Sequence, residues 1–202
     1  MKREAHVSLL FCRKKKFMNE IIFESKRLYA KKLTVNSIPD LKKMLQDPRV
    51  MYAYEGAFTD EMVEAWLNKM LWRYDEYGFA LNGIYLKSTD EMIGQCGITM
   101  QEYKNSLVHE VGYLFCADFW HQGYATEAAK AARDYAFTIL KAQRVFAFVR
   151  DTNTASMNVA KRCGLKAIDT IIKHYRNVTM PHIVFVLTQK EWAFLKSQDQ
   201  NS

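Results

Sequence analysis

The sequence predicts a single mixed α/β domain with a largely antiparallel central sheet of about seven strands flanked by helices. Three observations carry that expectation. A chain of 202 residues, 49% hydrophobic and 25% charged, can bury one substantial core. Stretches with helical spacing of apolar residues alternate with short β-branched and aromatic runs. Three successive strand-like runs are joined by turns as short as Lys104-Asn105-Ser106, and connections that short favour antiparallel neighbours.

Residues 1–17 stand apart. Lys2, Arg3, Arg13, Lys14, Lys15 and Lys16 against Glu4 give this arm +5 of the formal net charge of +7, so the remainder carries only +2. A disordered or non-native leader is expected in preference to a functional anchor, because like charges repel and resist packing. Met18 is a second candidate start. The apolar segment Val7 to Phe11 is too short for a signal peptide, and the basic cluster follows it instead of preceding it. A nucleic-acid-associated role would rest on this arm alone. The domain is expected over 18–197, with 198–202 as a tail.

Ile21 to Leu33 reads as the opening strand, with Arg27-Leu28-Tyr29-Ala30 alternating polar and apolar. Ser37 is expected to cap a helix carrying Ile38, Leu41, Met44 and Leu45, which Asp47-Pro48 ends. Thr59 starts a second helix whose stripe of Met62, Val63, Trp66, Leu67, Met70 and Tyr74 runs to Gly78. Phe79 to Leu86, Glu91 to Gln101 and Leu107 to Cys116 follow as strands. A third helix would bury Ala128, Ala131, Ala132, Tyr135 and Ile139. Arg144 to Val149 is a strand, and a helix from about Ala155 to Cys163 stops at Gly164. Ile168 to Arg176 and His182 to Thr188 close as a hairpin-like pair.

One stretch suggests chemistry. The apolar strand ending at Cys116 leads into Gln122-Gly123-Tyr124-Ala125-Thr126, with minimal side chains at Gly123 and Ala125, and a helix begins at once. Such a turn leaves helix N-terminal amides unpaired and suits an anion such as a pyrophosphate, although helices also start after small residues for structural reasons alone. Neither Gly-x-x-x-x-Gly-Lys-Ser/Thr nor Gly-x-Gly-x-x-Gly is present, which argues against a Walker loop and a dinucleotide fold. Cys12, Cys96, Cys116 and Cys163 are scattered without metal-ligand spacing, so no metal is expected and a reducing cytoplasm fits. No apolar run approaches the roughly 18 residues of a membrane span.

Glu110-Val111-Gly112-Tyr113, the turn from Trp120 to Ala128, and downstream Asn153-Thr154-Ala155-Ser156 with Gly164-Leu165 together resemble the GNAT superfamily of N-acetyltransferases. Within it, the branch that acetylates N-termini of ribosomal proteins, with its small-molecule relatives, is the most similar. The likeness spans roughly Ile22 to Leu195 and departs from the family's Gln/Arg-x-x-Gly-x-Gly/Ala pattern at Trp120. It implies acetyl-CoA as co-substrate. The amides of Gln122, Gly123, Tyr124, Ala125 and Thr126 would hold its pyrophosphate, Leu114 and Cys116 would pair with the pantetheine arm, and Asn153 would lie near the thioester. Lys161 or Arg162 would meet a CoA phosphate or lie on a solvated helix face, the latter being the simpler reading.

The implied reaction is attack of an unprotonated primary amine, on a small molecule or a peptide N-terminus, on the thioester. An α-amine near pKa ~7.8 is partly free at neutral pH, whereas a Lys side chain near ~10.4 needs a base. By family analogy Glu110 is that base, against the alternative of a strand-end carboxylate. The tyrosine that many members use to protonate or stabilise the departing thiolate would fall at Ala160. Ser156 is the substitute candidate, or simply a helix-start residue. Ala160 also keeps open a second function, an acyl-CoA-binding sensor without turnover. Tyr52, Tyr54, Phe58 and Tyr175 are candidate acceptor contacts, with core packing the competing role. Met51 to Tyr77 carries six acids against Lys69 and Arg73, a net −4, which predicts an acidic lip attracting cationic amines. The partners implied are acetyl-CoA and the amine, with a homodimer left open and neither membrane nor nucleic acid expected.

Overall fold

The computed structural model describes residues 20–175 and 178–199, so the basic arm 1–17 lies outside the described residues. Its centre is an eight-stranded sheet in the order β1-β2-β3-β4-β5-β6-β8-β7. The strands are β1 (Ile21–Glu24), β2 (Leu28–Lys32), β3 (Leu81–Leu86), β4 (Met92–Tyr103), β5 (Ser106–Phe115), β6 (Arg144–Arg150), β7 (Lys166–Tyr175) and β8 (Val178–Thr188). The eighth strand arises because the expected opening strand is two. The polar Glu24-Ser25-Lys26-Arg27 segment turns the chain, the Ser25 amide donates to the Leu28 carbonyl at 2.9 Å, and β1 folds back antiparallel on β2.

Neighbours are antiparallel from β1 through β5, and again from β6 through β8 to β7. Between these halves, β5 and β6 run parallel and pair only at His109↔Val145 and Glu110↔Phe146. From Val111 to Phe115 the β5 edge therefore has no ladder partner on the β6 side among the described residues. That parting of two strands opens the sheet in its middle.

Six helices flank the sheet among the described residues: α1 (Ile38–Leu45), α2 (Pro48–Met51), α3 (Asp60–Tyr77), α4 (Tyr124–Thr138), α5 (Thr154–Arg162) and α6 (Gln189–Asp199). Helix α4 lies on the sheet through Ala128, Ala129, Ala132, Ala136 and Phe137, all buried, and its small alanines allow close approach. Ile139, expected on that face, is 64% exposed, since the helix ends at Thr138 and the chain leaves the apolar stripe. A second core under α1 and α3 gathers Leu41, Met44, Leu45, Val63, Leu67 and Met70.

Several termini differ from expectation. Thr34, not Ser37, makes the first cap. Its side chain accepts from the Asn36 amide, and Ser37 Oγ accepts from the Thr34 amide at 3.1 Å. Asp47 does not merely end α1. Its carboxylate caps α2, accepting from the Arg49 amide at 2.9 Å. Helix α6 was not expected as an element. It is opened by a capping box in which Glu191 Oε2 accepts from the Thr188 amide at 3.0 Å while Thr188 Oγ1 accepts from the Glu191 amide at 3.2 Å. Thr59 and Gly78 bound α3 as expected, Thr59 through its side chain and Gly78 at φ 83°. Among the described residues no helix is long and apolar enough to cross a membrane.

Candidate active site

Where β5 leaves β6, two cavities flank one short stretch of chain. The larger, about 900 Å³, is lined by Leu114 and Phe115 of β5, by the start of α4 and by Asn153, Ser156 and Arg162 of the α5 region. The smaller, about 360 Å³, lies under α3 and is lined by Gln95, Thr99 and Glu110 with residues of β6 to β8. Val50, Tyr113, Leu114, Asn153 and Ser156 border both. A group held in one cavity and a group held in the other meet at these residues.

The larger cavity is built from backbone. Gly123 caps α4 at φ 82° and His121 sits at φ 60°, so the turn alternates through left-handed conformations that gather amides on one side. The first helical hydrogen bond runs from the Glu127 amide to the Gly123 carbonyl at 3.0 Å. The amides of Tyr124, Ala125 and Thr126 precede it and have no protein acceptor among the described residues, while their side chains line the cavity. The helix dipole adds positive potential there. Lys130 and Arg162 also line this cavity; Lys161 does not.

The turn is fixed from behind by the β1–β2 hairpin. Glu127 Oε1 accepts from the Arg27 amide at 2.7 Å and from Ser25 Oγ at 2.9 Å, and its other oxygen pairs with Arg27 Nε at 2.7 Å. Partial burial works against the charged carboxylate, yet these bonds from Arg27 and Ser25 hold it below the usual range. The Arg27 guanidinium also stacks over the Tyr124 ring at 4.3 Å and donates to the Gln122 carbonyl at 3.0 Å. Gln122 is thereby part of the support and does not line the cavity. Cys116 is likewise not brought to the cleft, because its N–H donates to the Ile93 carbonyl and its carbonyl accepts from the Phe119 amide, both at 3.0 Å.

At the junction, Asn153 caps α5, its Oδ1 accepting from the Ser156 amide at 2.9 Å. Ser156 Oγ donates to the Tyr113 hydroxyl at 3.1 Å, and that hydroxyl donates to the Ser156 carbonyl at 2.9 Å. Burial pushes the Tyr113 phenol above its ordinary value, so it stays protonated and acts as a donor. Sequence reasoning assigned Tyr113 no role beyond its strand. Ala160, where the family tyrosine would fall, is buried at 1% exposure against the core.

The smaller cavity is built from side chains. Glu110 sits on the last paired rung before β5 and β6 part. Its Oε2 accepts from Thr99 Oγ1 at 3.0 Å, and Thr99 in turn accepts from Gln101 Nε2 at 3.3 Å, so the carboxylate is oriented by a short polar chain. Gln95 Oε1 accepts from Trp66 Nε1 at 3.0 Å. His182 Nδ1 faces the Met180 carbonyl at 3.0 Å, and burial lowers the pKa of its ring.

Of the aromatic candidates, Tyr54 lines this smaller cavity and Tyr52 the larger one. Phe58 is a core residue, 7% exposed and packed edge-on against Tyr54 and Trp66. Tyr175 ends β7, and its side chain lies outside the described residues.

The expected acidic lip is corrected. None of the six acids of Met51 to Tyr77 lines the cavity, whereas both cations, Lys69 and Arg73, do. Asp60 is paired with Lys42 at 2.7 Å, Glu55 with Arg150, and Glu64, Asp75 and Glu76 face solvent on the outer side of α3. A regional charge sum misled because a helix sends opposite charges to opposite faces. The signal in the sequence was Trp66, Lys69 and Arg73 at spacings of three and four, a charged continuation of an apolar face.

Residues 27–166 match the family model of the acetyltransferase (GNAT) domain. The uncharacterized protein YkkB of Bacillus subtilis is 36% identical over 130 residues, covering 64% of this chain and 76% of that one. The uncharacterized N-acetyltransferase p20 of Bacillus licheniformis is 32% identical over 174 residues, covering 84% of this chain and 97% of that one. The fold is also similar to that of RimL, a ribosomal L7/L12 α-N-protein acetyltransferase solved with coenzyme A. That likeness has a TM-score of 0.71 at 17% identity and covers 85% of this chain and 99% of that one. Among the described residues no group of three or more His, Cys, Asp or Glu side chains is arranged to hold a metal ion. The chain belongs to the GNAT acetyltransferase family and is an N-acetyltransferase.

Proposed function

We propose that this enzyme moves the acetyl group of acetyl-CoA to a primary amine by direct attack within a ternary complex. The observation that carries this reading is the meeting of two unlike cavities at Tyr113, Leu114, Asn153 and Ser156. Acetyl-CoA fits the larger one. Its pyrophosphate lies on the free amides of Tyr124, Ala125 and Thr126 next to Lys130 and Arg162, and its pantetheine arm runs along the open β5 edge at Leu114. The acetyl group then reaches the junction, and the amine enters from the Glu110 side.

The amine lone pair attacks the thioester carbon, and the C–S bond breaks as the new C–N bond forms. Glu110, held by Thr99, takes the proton the nitrogen loses, directly or through one water. The sulfur departs as a thiolate, to which the Ser156 hydroxyl turns the one proton it otherwise donates to Tyr113, and the thiolate gains a proton from solvent on release. Holding both substrates at one junction supplies a further share of the rate.

Initial rates measured across a grid of acetyl-CoA and amine concentrations test the reading. Intersecting double-reciprocal lines are expected. Parallel lines, with acetyl retained on the protein, would contradict direct attack. The sensor reading rests on Ala160 alone; it predicts tight CoA binding with no thiol release on any acceptor.

A further inference from the structure

The acceptor cavity holds more positive charge than transfer to a plain amine requires. Four cations line it, Lys69 and Arg73 of α3, Arg150 of β6 and Lys173 of β7, against the single carboxylate of Glu110. Arg150 is already engaged, paired with Glu55 and donating to the Tyr52 carbonyl at 3.3 Å. Lys173 rests over the Phe148 ring at 4.6 Å without a carboxylate partner among the described residues. Lys69 and Arg73 lie one helical turn apart on the same wall.

Arg73 is the informative residue. It is only 8% exposed, yet it makes no hydrogen bond or ion pair among the described residues. Its guanidinium opens onto the cavity without being sealed from solvent, and Glu110 acts on its charge across that space without an ion pair, so the group is placed to receive an anion. Gln95 repeats the pattern. The residue is 0% exposed, and its Nε2 donor has no partner among the described residues although its Oε1 is bonded to Trp66. Burial and the neighbouring Arg73 charge lower the Lys69 pKa, and the opposing pull of Glu110 only partly offsets them. Among the described residues, Arg73, Lys69 and Gln95 Nε2 thus face one small cavity without a protein acceptor, and Gln95 Nε2 is also sealed from solvent.

Resting on the transferase reading above, we propose that the acceptor is a small amine that also carries an oxyanion, a carboxylate or a phosphate. Arg73, Lys69 and Gln95 Nε2 receive the oxyanion while Glu110 faces the amine. A cavity of about 360 Å³ suits a molecule of amino-acid size. Its charge pattern, one carboxylate facing several cations, complements a molecule with an ammonium at one end and an anion at the other. A diamine or polyamine would bring its second charge against Arg73 and Lys69 and is repelled.

The test compares matched acceptors by thiol release and by calorimetric titration into the CoA-saturated chain. The panel is an α-amino acid, its carboxamide, an aminoalkylphosphonate of equal length, a diamine and a neutral tripeptide amide. We expect kcat/KM for the carboxylate or the phosphonate to exceed that for the carboxamide by about 30-fold, carried mainly in KM, with the better of the two acids identifying the anion. Lys69→Gln, at the exposed rim, should narrow the acid-to-amide ratio about fivefold, and Arg73→Gln should narrow it further. If Arg73→Gln lowers the melting temperature, the Lys69 variant alone decides. Equal rates for acid and amide, or a preference for the diamine or the tripeptide, overturn the anion subsite while leaving the transferase intact. Acids that bind selectively but are never acetylated uphold the subsite and overturn the transferase reading.

Discussion

The two halves of the cleft are made of different material. The larger cavity, proposed for CoA, is backbone: a left-handed glycine, a helix start whose three amides have no protein acceptor among the described residues, and an open strand edge. The smaller cavity, proposed for the acceptor, is side chains drawn from five elements, with Glu110 on β5, Thr99 and Gln95 on β4, Lys69 and Arg73 on α3, Arg150 on β6 and Lys173 on β7. A backbone cradle is a local property of a few adjacent residues and tolerates little change. A wall of side chains depends on how distant elements face one another, and can be rewritten one residue at a time.

The contrast can be broken from either side. The largest effect is expected from Glu110→Gln, which should lower kcat by about 10²-fold and move the rate profile to higher pH while CoA affinity holds. A stopped-flow pH series reads both, and an unchanged rate would remove Glu110 from the chemistry. Gly123→Val acts on the other half. It forces a β-branched residue to φ 82° and directs its Cβ toward Arg27 Nη2, 3.5 Å away. CoA affinity should fall by about 10-fold or more, in a calorimetric titration, with little change in acceptor preference. Normal affinity would argue against the cradle.

At the seam between the halves, Ser156→Ala removes the hydroxyl but keeps the helix cap that Asn153 provides. A loss in kcat of about 10-fold with KM for both substrates unchanged is expected, and a loss confined to KM would assign Ser156 to binding instead.

The smallest effect lies outside the cleft. Lys166 and the Thr188 cap hold the Glu191 carboxyl at about 2, below its usual 4.5. Because the folded value is depressed, this stabilisation is complete above about pH 4.5 and is lost as pH falls toward about 2. Glu191→Gln should lower the melting temperature at neutral pH by no more than a few degrees and flatten its acid limb. Asp169, held at about 2 by Lys104 and Tyr103, retains part of the acid sensitivity.

The same contrast governs what the sequence revealed. Gly123 and Ala125 before a helical pattern, and Asn153 ahead of Ser156, mark the larger cavity because their physics is local. Thr59 and Gly78 bounded α3 for the same reason, as a cap and a left-handed stop. Thr188 and Glu191 were equally legible as a capping box, and α6 was missed although its signal was present. The acceptor side was misread because charge summed along Met51 to Tyr77 ignores which face each residue takes. Tyr113 and Ser156 are 43 positions apart, and only the parting of β5 from β6 brings their hydroxyls to 3.1 Å.

The central claim is that two cavities of opposite construction meet at Tyr113 and Ser156 with the donor on the backbone side. A crystal structure of this chain with coenzyme A tests it most directly. The pyrophosphate should lie on the amides of Tyr124, Ala125 and Thr126, with the thiol sulfur at the Tyr113–Ser156 pair and the Glu110 cavity left for the acceptor. A pyrophosphate bound elsewhere, or a pantetheine arm filling the Glu110 cavity, would contradict it.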